Sequence, residues 1–228
     1  MEHNTWKIPP DSEWVGRYAR TYLYTYYDDR MDIEITIEYP QVSLSGSESI
    51  LEEQINDALK KAFFYSYGSD VEGSTWNPRD HAYGGITRNY VITREDETYF
   101  SVRIFEDNYF RGANHPNQFE SGITINMKTG EVLRLQDVVG ENWTPLSLLD
   151  TGAFHCLWVW KDGNESDGEA AEIWMLQLHE SWEHDLYAEL SALDTKFYLT
   201  QDGLGLITEI ARYYTPIEAA FSDLGISF

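Results

Sequence analysis

Two histidines in the C-terminal half, His179 and His184, come close to the pattern of a metal-binding motif. A helical zinc motif places two histidines four residues apart, so that both imidazoles lie on one face, with a glutamate beside the first. Here the histidines are five residues apart, which turns the second by about 140° around a helix. The spacing therefore favours a solvent-exposed helix face, and we predict neither a metal nor another cofactor.

A polar loop between two predicted strands carries the best candidates for a binding site. Arg111, Asn114 and His115 are polar side chains that would be held between rigid strands. The neighbouring aromatic residues Tyr109 and Phe110 could extend the contact surface. A purely structural crossover stays open as an alternative, with the loop's glycine and proline fixing the backbone and His115 capping a strand end.

Adjacent carboxylates could act as acid and base in glycan hydrolysis. Glu106–Asp107 and Asp28–Asp29 are such pairs, but pairs of this kind arise by chance in a chain with 39 acidic residues. The sequence contains no nucleophile elbow, phosphate-binding loop or dinucleotide fingerprint. We therefore expect no enzymatic activity, and predict no catalytic residue.

The strongly acidic composition limits the classes of partner. The formal net charge is −23, from 39 acidic and 16 basic residues. Nucleic acids and anionic lipid surfaces are disfavoured, because both need clustered Lys and Arg. A field of this sign would speed the encounter with a cationic protein, or would simply keep the protein soluble. The apolar content of 42% and the aromatic content of 15% indicate a folded globular protein.

The single cysteine and the hydropathy restrict cell location only partly. Cys156 is the only cysteine and lies in an apolar run, so we expect a buried, inert thiol and no internal disulfide. No apolar window is long enough to span a membrane, and the N-terminus lacks a basic-then-apolar signal pattern. These observations fit a cytoplasmic protein, or the soluble part of a chain whose export or anchor segment is not present here.

Hydrophobic periodicity predicts the elements, and 98–137 is the central stretch of two long strands followed by a tight turn. Alternating apolar residues predict strands, and apolar residues at helical spacing after Ser49-Ile50-Leu51-Glu52 predict an amphipathic helix. A loop over 68–84 is long enough for a function. The predicted strands are 17–27, 31–42, 86–94, 98–106, 123–127, 131–135, 196–200, 204–210 and 220–228; the predicted helices are 49–66, 145–160 and 170–191, with a flexible acidic loop at 161–169.

Strands outnumber helices and pair locally, which predicts an α+β fold with a mainly antiparallel sheet, one N-terminal amphipathic helix and two later helices. The chain is expected to form two closely packed subdomains. Residues 1–16 would be an irregular lead-in, 17–84 a small hairpin-plus-helix subdomain and 85–228 a larger α+β subdomain.

Two blocks resemble a family of secreted bacterial domains of unknown function. In the first, an aromatic strand ends in Arg111-Gly112-Ala113-Asn114-His115-Pro116, followed by Lys128-Thr129-Gly130-Glu131 and Leu135-Gln136-Asp137; the second is 197–204, which is similar to the family's terminal hairpin. Asn114 is an insertion relative to the family, which tends to have Ala-His directly. This insertion predicts a loop that differs in shape from that of the family.

The resemblance implies an extracytoplasmic binding or sensing domain. The family includes the extracellular part of lysozyme-sensing anti-sigma factors and the non-catalytic N-terminal part of peptidoglycan deacetylases. Its partner here would be a cationic protein such as lysozyme, or cell-wall glycan, with no nucleic acid and no direct insertion into a membrane. The alternatives are a cell-wall glycan or peptide hydrolase with an unrecognised acidic site, and a structural spacer in a larger envelope protein.

Overall fold

A computed structural model gives the architecture of the chain. It describes residues 5–7, 16–28, 33–44, 49–64, 84–110, 116–144, 147–148, 150–156, 159–161, 164–166, 196–210 and 213–226. The strands are β1 Thr5–Lys7, β2 Ala19–Asp28, β3 Ile33–Val42, β4 Gly84–Glu95, β5 Tyr99–Phe110, β6 Asn117–Asn126, β7 His155–Cys156, β8 Val159–Lys161, β9 Asn164–Ser166, β10 Phe197–Leu199, β11 Gly203–Ile210 and β12 Tyr213–Ala220; the helices are α1 Ser49–Phe63, α2 Leu135–Val139 and α3 Phe221–Leu224.

The larger sheet has six strands in the order β1-β2-β3-β4-β5-β6. All neighbours are antiparallel except β3 and β4, which run parallel. A parallel pair needs a long crossover between its strands, and α1 lies within that connection. The predicted α+β class with a mainly antiparallel sheet is confirmed. The pairs β2–β3 and β4–β5 agree with the predicted local pairing of successive strands. Strand β6 also pairs with β5, although the sequence favoured pairing of 123–127 with 131–135.

Helix α1 covers one face of this sheet. Its residues Ile55, Leu59 and Phe63 recur every four positions, as one helical face requires, and all three are fully buried. They pack against alternate residues of the strands, because side chains in a strand point to opposite faces in turn. The strand members of this core are Ala19, Ile35, Ile37, Tyr39, Val42, Ile86, Phe100, Val102, Ile104, Ile123 and Ile125.

A four-stranded sheet, ordered β10-β11-β12-β7, forms the second layer. It shares a second core with α2 and α3, which includes Leu199, Leu206 and Ile217. A buried hydrogen bond joins the layers, since the Leu199 backbone N–H donates to Ser101 Oγ at 2.8 Å. Strand β10 therefore lies against the face of the larger sheet that α1 leaves free.

The predicted strand at 131–135 is wrong. Only one isolated bridge, between Ile125 and Val132, follows the turn, and α2 begins at Leu135. The helix is favoured because the Asp137 carboxylate accepts hydrogen bonds from the Arg134 backbone at 2.8 Å and from its guanidinium at 2.9 Å. Asp137 therefore stabilises the first turn at the point where the strand was expected to continue.

The predicted helix at 145–160 and acidic loop at 161–169 are wrong over much of the part that the structure describes: 147–148 are helical, but 155–156, 159–161 and 164–166 are strand. Residues His155 and Cys156 form β7 and pair with Glu218 and Ile217 of β12. Strands β8 and β9 pair as a separate hairpin, in which Lys161 faces Asn164. The residues between them are Asp162-Gly163, a dipeptide typical of two-residue hairpins. The dipeptide therefore indicated a turn in the sequence, but the apolar run before it favoured the prediction of a helix.

The last predicted strand is displaced. Strand β12 ends at Ala220, and the following Phe221–Leu224 forms the short helix α3. Gly225 has a φ of 67° and ends that helix in the left-handed conformation that glycine adopts readily. The turn at 201–203 lies between β10 and β11 as predicted, whereas the predicted helix at 170–191 and most of the loop at 68–84 lie outside the described residues.

The proposed boundary at residue 84 coincides with the start of β4. Across it, Ile35 of β3 pairs with Ile86 of β4 in the parallel register. Both side chains are buried in the core beneath α1. The six-stranded sheet therefore takes strands from both proposed subdomains, and the division of the chain into independent units stays a prediction.

Candidate functional site

The predicted binding loop follows the end of β5. Tyr109 is 47% exposed at this end of the strand, and Phe110 is its last residue. The side chain of Phe110 and the whole of Arg111, Asn114 and His115 lie outside the described residues. The structure therefore places Tyr109 at the surface beside the loop, and the grouping of the other four stays a prediction.

The face of the larger sheet opposite α1 extends from its contact with the second layer to Tyr109 at the end of β5. We call this surface the open face. Its members follow from the strand alternation and the register between strands. On β3 to β6 they include Glu34, Thr36, Glu38, Gly85, Thr87, Asn89, Val91, Arg103, Phe105, Asp107, Tyr109, Gln118 and Glu120. On β1 and β2, the register places Thr5, Lys7, Leu23, Thr25 and Tyr27 on the same face.

Side chains on the open face are mainly polar and acidic, with aromatic rings among them. Glu34, Glu38 and Thr87 are exposed, and Asp107 is half-buried. Asp107 Oδ1 accepts a hydrogen bond from Gln118 Nε2 at 3.0 Å, which fixes the carboxylate next to Tyr109. A surface of carboxylates and aromatic rings suits cationic groups, since both attract positive charge.

Arg103 on the open face is held in an ion pair. Its guanidinium lies 2.7 Å from Glu120 Oε2, and the two side chains are 11% and 10% exposed. The guanidinium also lies over the Phe105 ring at 4.6 Å and near the Tyr198 ring at 5.8 Å. Arg103 is thus neutralised, while Glu34, Glu38 and Asp107 place negative charge on the same face.

Tyr198 connects this ion pair to the second layer. Burial strongly raises the pKa of its hydroxyl, and the hydrogen bond that the hydroxyl donates to Glu218 Oε1 at 2.7 Å raises the pKa further. Ionisation would place a second negative charge beside a carboxylate in a dry environment. Tyr198 is therefore a neutral hydrogen-bond donor within the second layer, which does not suit it to act as a general base.

The adjacent carboxylates Glu106 and Asp107 do not form a catalytic pair. Glu106 is 5% exposed and binds Arg88 on the face beneath α1, whereas Asp107 lies on the open face. Consecutive strand residues point to opposite faces, so the sheet itself separates the two groups. Of the other pair, Asp28 ends β2, and Asp29 lies outside the described residues.

Arg88 and Glu106 are structural instead. The Arg88 guanidinium donates to Glu106 and to the backbone carbonyl of Phe63, the last residue of α1. A cation at a helix C-terminus satisfies a terminal carbonyl and interacts favourably with the helix dipole. This buried pair fixes the end of α1 on β4 and β5. Hydrophobic periodicity in the sequence does not predict such a pair.

Other predicted chemistry can be assessed only in part. His179 and His184 lie outside the described residues, and Cys156 lies in β7 with its side chain outside them. Within the part of the chain that the structure describes, no group of three or more His, Cys, Asp or Glu residues is placed to hold a metal. Over the same part, no helix is long and apolar enough to cross a membrane.

These elements define an α+β protein in which a helix-covered six-stranded sheet carries a second, four-stranded layer on its other face. Two solved bacterial structures share the fold, and both are described as DUF3298 family proteins. The protein from Pseudomonas aeruginosa PAO1 has a TM-score of 0.52 at 9% sequence identity and covers 94% of each chain. The protein from Bacteroides fragilis NCTC 9343 has a TM-score of 0.51 at 11% identity and covers 91% of this chain and 90% of its own.

At this level of identity the likeness shows the fold alone. No protein-family model matches the chain, and no curated protein matches it in sequence. The predicted resemblance to a bacterial domain of unknown function is confirmed in this coarser form. The narrower expectation of an anti-sigma-factor or deacetylase context stays a prediction.

Proposed function

We propose that the protein is a non-enzymatic, extracytoplasmic recognition domain that binds a cationic protein on the open face and the adjoining loop at 111–115. The observation that carries this proposal is the charge arrangement on the open face. Glu34, Glu38 and Asp107 supply negative charge there, while Arg103 is occupied by Glu120. A cationic partner would therefore contact these carboxylates, and Arg103 would not repel it because Glu120 neutralises its charge.

Rigidity of the scaffold supports recognition by this surface. The open face is one side of a continuous sheet whose other side is fixed by the α1 core, and Arg103, Glu120 and Tyr198 join it to the second layer. Preformed surfaces lose less conformational entropy on binding than mobile ones. Side chains on strands are also positioned more accurately than those on loops.

The formal charge of −23 adds a long-range contribution. Opposite net charge speeds diffusional encounter, and complementary charges fix the docking orientation. Lysozyme is the most specific candidate partner, because the sequence resembles a family that contains lysozyme-sensing domains. Cell-wall glycan is the nearest variant, with the aromatic side chains of the open face as the contact surface.

Calorimetry of the purified protein with an animal-type lysozyme tests the proposal. The titration is run at low and near-physiological salt, with an unrelated basic protein of similar size as control. We expect saturable one-to-one binding that weakens but persists at the higher salt, and none with the control. Heat that appears only at low salt, and equally with both proteins, would reflect unspecific charge attraction and overturn the proposal.

A charge-reversal variant locates the surface. Glu38→Lys places a cation on the open face, whereas Glu97→Lys makes the same change in the exposed β4–β5 turn. We expect the first variant to weaken binding much more than the second, because only the first puts a like charge inside the contact. Equal effects would mean that net charge alone governs binding.

The alternative function, hydrolysis of cell-wall glycan or peptide, is tested by incubation with peptidoglycan fragments followed by mass analysis. Released products would indicate a hydrolase.

A further inference from the structure

Gly85 leaves a gap in the open face between an acidic and an aromatic side chain. In the register of the sheet, Glu34 of β3 pairs with Gly85 of β4, and Gly85 pairs with Tyr109 of β5. The three residues therefore form one row across three strands. Because neighbouring strands are about 4.8 Å apart, Glu34 and Tyr109 stand about 10 Å apart with no side chain between them.

The gap is partly accessible to solvent, since Gly85 is half-buried. Among the described residues, the atom nearest to a Cβ at Gly85 would be the Glu34 carbonyl oxygen at 3.8 Å, an ordinary van der Waals distance. Tyr109 on one side is 47% exposed, and Glu34 on the other is exposed as well. A space of this width accommodates an extended aliphatic chain lying between a carboxylate and a ring.

We infer that this gap is a subsite for a single arginine or lysine side chain of the cationic partner, an inference that rests on the proposed function. The alkyl stem would lie over Gly85, where the backbone is bare. The charged head would pair with Glu34 and Asp107, and the Tyr109 ring would form the opposite wall. Asp107 belongs to the next row and is oriented toward the surface by Gln118.

Three physical terms favour a long cation over other occupants. The Tyr109 ring attracts a cation through its quadrupole, by about 0.5–1 kcal/mol at an exposed site. The carboxylates add charge pairing, and they disfavour an anionic side chain in the same place. Arg and Lys also bury their methylene stems while their charged heads stay in water. This suits a gap whose base is the Gly85 backbone and whose edges are exposed to solvent.

Glycine at position 85 makes β4 less stable, although the backbone conformation there does not require glycine. A glycine within a strand destabilises it by about 0.5–1 kcal/mol relative to alanine. Gly85 has no left-handed φ that would demand glycine, in contrast to Gly130 at 75°. Its lack of a side chain is therefore explained by the space that it leaves above the sheet.

The test uses NMR titration of the ¹⁵N-labelled protein with the capped tripeptide acetyl-Gly-Arg-Gly-amide. The peptide with citrulline, which has nearly the same shape without the charge, is the matched ligand control. We expect the arginine peptide to shift the amide signals of Glu34, Gly85 and Tyr109, with at least about fivefold weaker binding for citrulline. Shifts centred on another region, or equal binding of both peptides, would overturn the inference.

Gly85→Val places a side chain in the gap, where a Cβ is at van der Waals distance from the Glu34 carbonyl oxygen, and suits a strand better than glycine. Thr98→Val introduces the same side chain in the β4–β5 turn, at the other end of the hairpin and outside the open face. We expect Gly85→Val to remain folded and to lose affinity for the arginine peptide by about fivefold to tenfold, with Thr98→Val close to wild type. Wild-type affinity in Gly85→Val would overturn the inference.

The same variants separate this inference from the proposed function. If lysozyme binds wild type and Gly85→Val equally, the protein recognises a cationic partner but the subsite assignment is wrong. If the arginine peptide binds at Gly85 while no cationic protein binds, the subsite is supported and the proposed partner class is overturned. Loss of lysozyme and peptide binding together in Gly85→Val supports both.

Discussion

Gly122 in β6 lies so close to Phe197 in β10 that a Cβ at Gly122 would be 2.1 Å from the Phe197 carbonyl oxygen. Real Cβ atoms do not approach backbone this closely, so the two layers can meet here only because residue 122 has no side chain. The contact brings Tyr198 next to Arg103 and so defines where the open face begins.

Gly122→Ala is therefore expected to lower the free energy of unfolding by about 1–3 kcal/mol, because backbone would have to move to accept the methyl group. Gly85→Ala is the matched control, since its Cβ would be at an ordinary van der Waals distance of 3.8 Å from the Glu34 carbonyl oxygen and the change is expected to stabilise by about 0.5–1 kcal/mol. Urea unfolding at neutral pH measures both. A neutral effect of Gly122→Ala would contradict the close packing of the layers.

Glu106→Gln is expected to destabilise the protein by about 3–5 kcal/mol, because the Arg88 cation would stay buried without its counter-charge. Both side chains are nearly inaccessible, at 1% and 5% exposure. The double variant Arg88→Met/Glu106→Leu is expected to recover much of the loss, since it removes both charges. Glu97→Gln, in an ion pair whose partners are 62% and 76% exposed, should change stability by less than about 1 kcal/mol.

Asp96 in the β4–β5 turn makes stability depend on acid pH. Burial alone would raise the pKa of its carboxyl, but hydrogen bonds from Arg94 and from the backbone N–H groups of Thr98 and Tyr99 outweigh burial and lower it. Since the folded pKa lies below the unfolded value of about 3.9, the stabilisation is present above that value and is lost as the pH falls through the folded pKa.

Asp96→Asn should accordingly be less stable than wild type at neutral pH, and the difference should shrink as the pH falls below about 3.9. Urea midpoints of both proteins between neutral and strongly acidic pH measure this dependence. A difference that stays constant over the whole range would show that the turn does not depend on the ionised carboxylate.

Ser101→Ala tests the hydrogen bond between the layers. The Leu199 N–H would lose its acceptor in a buried position, which costs about 1–3 kcal/mol. The amide proton of Leu199 should also exchange faster with solvent, a readout specific to this contact. Ser222→Ala, at an exposed site, is expected to stay within about 0.5 kcal/mol of wild type. Unchanged exchange at Leu199 would contradict the assignment of this bond.

Local patterns in the sequence determined most of the elements. The alternation of Ile33, Ile35 and Ile37 predicts a strand with one buried face, and the helical spacing of Ile55, Leu59 and Phe63 predicts α1; both are confirmed. These patterns are reliable because a strand or helix that buries one face needs apolar residues at the spacing of that face, every second residue in a strand and every three to four in a helix. Tyr109 is exposed beside the predicted loop, and its role in binding stays a prediction.

Contacts between distant parts of the chain were decided by the tertiary structure alone. Pairing with β12 makes His155 and Cys156 a strand, although their apolar surroundings predict a helix, because backbone groups of a distant strand satisfy theirs. The row of Glu34, Gly85 and Tyr109 depends on the register of three strands, which no local period encodes. The sequence thus determined the long strands of the larger sheet and α1, whereas only the folded sheet decided which of their residues face one another across the open face.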